Sequence, residues 1–224
     1  MNRPKLILID LDGTLVDSVP DLLFSVNQMM AALGRPSCTE SHLRNWIGNG
    51  VEKLVKRTLM DDLDAEPSRE DFDQGYPLFM DSYDKHNGER STLYPGIREG
   101  IDHLKAEGYT LGCVTNKAAQ FTIPLLKALG IHGDFSIIVS GDTLPKKKPD
   151  PMPLLHAAKQ LDATPQESMM VGDSMHDVAA ARAAGFQAVS VPYGYNHGID
   201  IREANPDAVI DSLADLPGLI AEHS

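Results

Sequence analysis

The chain has 224 residues, 42% of them hydrophobic and 23% charged, the balance of a globular protein rather than a disordered one. Its 32 acidic and 20 basic residues leave a formal net charge of −12, which repels nucleic-acid backbones and anionic membranes and excludes both as favoured partners. The same field opposes an anionic substrate, so a site for one must supply its own cations.

In chain order, Met1-Asn2-Arg3-Pro4-Lys5 leads into the apolar run Leu6–Ile9, which stops at Asp10. A short apolar run without helical period suits a strand buried on both faces. It is too short for a signal-peptide core or a membrane span, so the cytoplasm is the expected location. Val19, Leu22, Leu23, Val26, Met29, Met30 and Leu33 then recur at three- and four-residue spacing, predicting a helix that Gly34 and Pro36 end. From about residue 40 to 90 no strand pattern occurs. Leu43, Trp46 and Ile47, then Val51, Leu54, Val55 and Leu59, then Phe72, Tyr76, Phe79 and Tyr83 predict three more amphipathic helices. Cys38 and Cys113 are the two cysteines; so far apart, they offer neither a disulfide framework nor a metal set and point to a reducing compartment.

After Tyr94-Pro95-Gly96 the rhythm changes to alternating helix and strand. Helices are expected over Ile97–Ala106, Ala118–Leu129, Leu154–Leu161, Val178–Ala184 and Leu213–Ala221. Strands are expected over Tyr109–Val114, Phe135–Val139, Ser168–Val171, Phe186–Val191 and Ala208–Ile210. This alternation predicts an α/β fold, a Rossmann-like parallel sheet with helices on both faces. The helical block after the first strand reads as an inserted all-helical cap. Residues 1–14 and 92–224 are then the α/β core and residues 15–91 the cap.

Ligands of an open parallel sheet collect beyond the carboxyl ends of its strands. Polar groups stand at several such ends here: Asp10-Leu11-Asp12-Gly13-Thr14, Thr115-Asn116, Lys148, and Gly172-Asp173-Ser174 followed by Asp177. Each alone has a plainer reading, since Asp-Gly is a common turn, Thr115 or Ser174 can cap a helix, and Asp177 suits a helix start. Converging on one edge, they form a phosphoryl-transfer site. Clustered carboxylates repel unless a hard cation sits between them, and Mg²⁺ prefers such oxygen ligands. Asp10 and Asp12 can divide the roles of nucleophile and acid/base, while Lys148 and the metal supply the positive charge that the acidic surface does not.

Asp10-Leu11-Asp12-Gly13-Thr14-Leu15-Val16-Asp17-Ser18 resembles the first motif of the haloacid dehalogenase-like hydrolase superfamily. Thr115 resembles the second motif, Lys148-Pro149-Asp150-Pro151 the third, and Gly172-Asp173-Ser174 with Asp177 the fourth, in family order over nearly the whole chain. The resemblance implies a Mg²⁺-dependent hydrolase acting on a small phosphate ester. Asp10 would attack phosphorus and become an aspartyl-phosphate, and Asp12 would protonate the leaving alkoxide and then activate water. Mg²⁺ would be held by the Asp10 carboxylate, the Asp12 main-chain carbonyl and Asp173. Thr115 and Asn116 would meet the phosphoryl oxygens, Lys148 would neutralise charge, and Asp177 would orient a metal water or Lys148. Dehalogenases and phosphonate-cleaving members lack an aspartate at the position of Asp12, so its presence favours phosphate esters.

Within the superfamily, three segments are similar to bacterial phosphoglycolate phosphatases: Arg44–Gly50, Gly141–Pro149 and Tyr193–Gly198. The Gly48-Asn49-Gly50 turn opening a helix presents free backbone N–H groups, a seat for a small carboxylate. Arg44, Lys53 and His197 are candidate cationic helpers. The alternatives are a broad-specificity sugar or nucleotide phosphatase, a pyrophosphatase, a sugar-phosphate mutase, and, from another class, a non-catalytic binding protein on the same fold.

Overall fold

The computed structural model describes residues 2–222. The first strand, β1 (Leu6–Ile9), is buried at every position. Ile7 and Ile9 face one hydrophobic core and Leu6 and Leu8 face another, so a run of unbroken apolar residues is what this strand requires. The remaining strands of its sheet are β4 (Thr110–Val114), β5 (Ile137–Val139), β6 (Ser168–Gly172), β7 (Gln187–Ser190) and β8 (Ala208–Val209). Their spatial order is β5-β4-β1-β6-β7-β8, and every pairing is parallel.

Helices cover both faces. Ile97, Ile101 and Leu104 of α5 (Ile97–Ala106), Leu125 of α6 (Ala119–Ala128) and Ile220 of α9 (Leu216–Glu222) pack on the side of Ile7 and Ile9. Leu154 and Ala157 of α7 (Met152–Gln160) and Val178 and Ala181 of α8 (Met175–Ala184) pack on the side of Leu6 and Leu8. The expected α/β architecture is therefore the observed one. Because β1 lies between β4 and β6, the loops leaving these strands part to opposite faces and open a crevice at their carboxyl ends.

Four helices follow the first strand: α1 (Val19–Ala32), α2 (Glu40–Trp46), α3 (Val51–Met60) and α4 (Arg69–His86). They share a separate apolar cluster that includes Val26, Met29, Leu43, Trp46, Val55, Phe79 and Tyr83, closed by Phe121 and Tyr195 from elsewhere in the chain. A short antiparallel pair, β2 (Val16–Asp17) with β3 (Thr92–Leu93), carries the chain into and out of this block. The sequence pattern does not announce this pair, because strands so short have no period to read. Fully buried Asp21 of α1 ties the two crossings together, accepting from the N–H groups of Gly88 (2.8 Å), Arg90 (2.8 Å) and Ser91 (3.0 Å).

Several element ends fall one to three residues from expectation, as where α8 begins at Met175 and not Val178, and two of these shifts have a plain local cause. The strand expected from Phe135 begins at Ile137, because a 3-10 turn over His132–Asp134 delays it. The final helix opens with a 3-10 turn at Leu213–Asp215, where the Ser212 side chain accepts from Ala214 N–H. Among the described residues, no helix is long and apolar enough to cross a membrane.

Candidate active site

The turn after β1 starts the site. Asp10 N–H donates to Val171 O at 2.9 Å, which holds the residue level with the end of β6. Gly13 then takes φ +86°, and a Cβ there would lie 2.3 Å from Asp173 Oδ2, so only glycine lets this turn pass the neighbouring carboxylate. Asp173, at the end of β6, accepts from Thr14 Oγ1 at 2.7 Å and from the Tyr195 backbone N–H. Asp177 closes the first turn of α8 as a capping box, its Oδ2 accepting from Ser174 N–H (3.1 Å) and Ser174 Oγ (2.7 Å).

Lys148 joins these carboxylates. Its Nζ lies 2.8 Å from Asp10 Oδ1 and 2.7 Å from Asp177 Oδ1, and it donates to Val114 O at 2.6 Å. The two carboxylate contacts are ion contacts without aligned hydrogen bonds, which leaves both oxygens electrostatically held but otherwise unsatisfied. Burial raises the Asp10 carboxyl to about 7, Lys148 opposing the shift and Asp177 adding to it. Burial, then Asp10 and Asp177, lift the Asp173 carboxyl well above its ordinary range.

Oxygen atoms of Asp10, Asp173 and Asp177 all lie within 4.8 Å of one another. One lysine among three buried carboxylates leaves the cluster short of positive charge. An all-oxygen donor set with that deficit fits a hard divalent cation such as Mg²⁺.

Asp12 sits differently. Its carboxylate faces Lys117, whose Nζ is 3.0 Å from Oδ1 and 3.1 Å from Oδ2. Burial works against the Lys117 charge, but Asp12 beside it holds the ammonium above its usual range. Sequence reasoning stopped at Thr115-Asn116 and missed this residue. The available signal was a lysine directly after a polar strand exit in an acidic chain.

Asp10, Asp12, Thr115, Asn116, Lys148 and Asp173 line one cavity, and Gly48 and Gly50 line its other side. The Asn116 amide spans the two sides, donating to Gly48 O and to Lys148 O, each at 3.1 Å. That commits its side-chain nitrogen and leaves only the main chain of Asn116 for a phosphoryl oxygen. Thr115 Oγ1 accepts from Lys117 N–H at 3.2 Å, so its hydroxyl proton is free to donate. Asn49 turns from the cavity toward His176, with Nδ2 2.9 Å from the ring Nε2. Burial lowers the His176 pKa, His197, Lys148 and Arg57 adding to the effect and Asp177 opposing it.

The three candidate helpers lie outside the cavity wall. Arg44 bridges Asp17 (2.9 Å) and Glu40 (2.7 Å), Lys53 meets Glu66 (3.1 Å), and His197 donates from Nδ1 to Asn45 O at 2.7 Å.

A carboxylate and lysine cluster at the switch point of a parallel sheet, facing a helical insertion, defines a hydrolase class. The chain belongs to the haloacid dehalogenase-like hydrolase family, whose sequence profile matches residues 7–191. It is 53% identical over 222 residues to a phosphoglycolate phosphatase of Nitrosococcus oceani, covering 99% of each chain. It is 48% identical to a phosphoglycolate phosphatase of Nitrosospira multiformis, covering 98% of this chain and 97% of that one. The crystal structure of a predicted phosphoglycolate phosphatase from Haemophilus somnus superposes with a TM-score of 0.91 at 36% identity, covering 98% and 99% of the two chains.

Proposed function

We propose that the chain is a Mg²⁺-dependent phosphatase that hydrolyses 2-phosphoglycolate to glycolate and phosphate. The observation that carries the catalytic part is Lys148 held between Asp10 and Asp177 beside Asp173, inside the cavity that Asp12 and Thr115 also line. The names borne by relatives that match along nearly their full length support the choice of substrate. The cavity volume of about 50 Å³ suits a compact phosphate ester as well.

In this reading Asp10 attacks phosphorus in line, forming an aspartyl-phosphate as the bond to the glycolate oxygen breaks. Asp12 gives its proton to that oxygen, and in the second half-reaction takes one from the water that releases phosphate. Thr115 Oγ1 and the Asn116 main chain donate to the phosphoryl oxygens, and Lys148 offsets their charge while keeping Asp10 in place. Asp10, the Asp12 main-chain carbonyl and Asp173 would hold Mg²⁺, which when bound supplies further positive charge against the phosphoryl group. Asp177 orients Lys148. Residues 15–91 act as a cap that excludes water and brings Gly48 and Gly50 to the substrate, while Asn49, grouped with them from sequence, faces His176 instead.

Phosphate release from a panel of phosphorylated metabolites, with Mg²⁺ and with EDTA, tests this. The expected result is turnover of 2-phosphoglycolate above sugar and nucleotide phosphates, lost in EDTA, with rapid-quench labelling at Asp10. Full activity in EDTA, or labelling elsewhere, would refute the mechanism; equal rates across the panel would refute the substrate.

A further inference from the structure

A substrate that carries a carboxylate as well as a phosphate needs a second recognition point. Three basic side chains line the cavity: Lys117, Lys148 and His176. Both lysines are committed, Lys117 to Asp12 and Lys148 to Asp10 and Asp177. Arg44, Lys53 and His197 are held by other partners outside the wall. His176 is the basic group on the wall that no carboxylate occupies: its Nε2 meets the Asn49 amide at 2.9 Å.

The position of His176 is equally specific. It stands in the first turn of α8, where the core meets the loop of Gly48 and Gly50, and those glycines line the same cavity. With the Asn49 amide donating to Nε2, a neutral ring keeps its proton on Nδ1 and so remains an N–H donor. We infer that His176 is a specificity-determining residue whose imidazole contacts the carboxylate of a short phosphorylated acid, with Asn49 as the positioning residue that sets the ring. This rests on the phosphoglycolate reading and extends it to a side chain on the core. The cap then contributes to selectivity by orienting a core imidazole as well as by its own backbone.

The test compares 2-phosphoglycolate with ethyl phosphate, which keeps the phosphate and both carbons but has no carboxylate. The quantity read is the ratio of their kcat/KM values in wild type, His176→Phe and His176→Asn, each checked for cooperative melting. Loss of one charge-assisted hydrogen bond lowers the ratio about 10- to 100-fold in His176→Phe, mainly through KM for 2-phosphoglycolate. His176→Asn, whose amide nitrogen stands where Nδ1 does, should recover part of the preference. Equal losses on both substrates, or an Asn variant no more selective than the Phe variant, would overturn the assignment. If wild type prefers 2-phosphoglycolate and His176→Phe keeps that preference, the inference fails alone. If wild type shows no preference, the inference and the substrate reading fail together.

Discussion

Lys117 Nζ faces both carboxylate oxygens of Asp12, at 3.0 and 3.1 Å, from a site almost closed to solvent. The same ammonium lies 5.1 Å from the ring centroid of Tyr83 on α4. Core, the turn after β1 and the helical insertion therefore meet at one cation. Replacing it by methionine keeps the packing of the stem but removes the charge that holds Asp12 in place. Lys117→Met should lower kcat about 10- to 100-fold, as expected for loss of a charge-assisted contact. Under the proposed role of Asp12 in protonating the leaving group, ethyl phosphate should suffer more than nitrophenyl phosphate, whose leaving group needs little protonation. Initial rates on the two substrates decide this, and equal losses would separate Lys117 from proton transfer.

Asp10 links metal removal to pH. An acid whose folded value is raised, here to about 7, binds more protons in the native state than in the unfolded state between roughly pH 4 and 7. Its contribution to stability is therefore greatest below pH 4 and is lost as pH rises through 7. In EDTA the Tm should fall across that window, and Asp10→Asn should flatten the decline while abolishing turnover. Added Mg²⁺ should raise Tm most at the alkaline end, near pH 8, where Asp10 has largely lost its proton. Thermal melts from pH 4 to 8, with and without Mg²⁺, read both effects. A metal-free Tm that rises over this range would show that Asp10 is not the strained group.

Gly194 leaves no room for a side chain. A Cβ there would lie 2.3 Å from Asp173 Oδ2 and 2.3 Å from Gly13 O, so Gly194→Ala must displace either the carboxylate or the turn after β1. The overpacking should cost about 1–3 kcal/mol of stability. A displaced carboxylate should also raise the Mg²⁺ concentration needed for half-maximal activity about 10- to 100-fold. Titrating activity with Mg²⁺ separates the two effects, since simple destabilisation leaves the half-saturation point of the folded fraction where it was.

Asp21 lies away from the chemistry and should behave accordingly. Asp21→Ala strands the N–H groups of Gly88, Arg90 and Ser91, which cross between insertion and core. Unfolding free energy should drop by about 3–5 kcal/mol, the cost of breaking a buried charged hydrogen-bond group. Urea denaturation measures the loss; a change under about 1 kcal/mol would mean that other contacts hold the crossing.

Much of this molecule can be read along the chain. Leu6–Ile9 is apolar at every position because β1 is covered on both faces, and the three- and four-residue spacing of the helices marks the sides they bury. Asp10, Thr115, Lys148 and Asp173 can be gathered from sequence because a parallel sheet brings the carboxyl ends of its strands to one edge. That rule needs only the strand positions. It holds without knowledge of any side-chain contact.

The pairings inside the cavity obey no such local rule. Lys117 and Asp12 are 105 residues apart, and Asn49 and His176 are 127 apart. Nothing in the spacing of either pair distinguishes them from other lysines, asparagines and histidines of the chain. Arg44, Lys53 and His197 looked equally available as cations, yet each is taken by a partner outside the cavity. By itself the sequence determined the sheet, the helical block and the strand ends that carry the carboxylates, because these follow from periodicity and from the geometry of parallel strands. Only the tertiary structure decided which cations are spent and which remains. That choice depends on how the insertion packs over the crevice, and such packing is set by shape and charge in three dimensions.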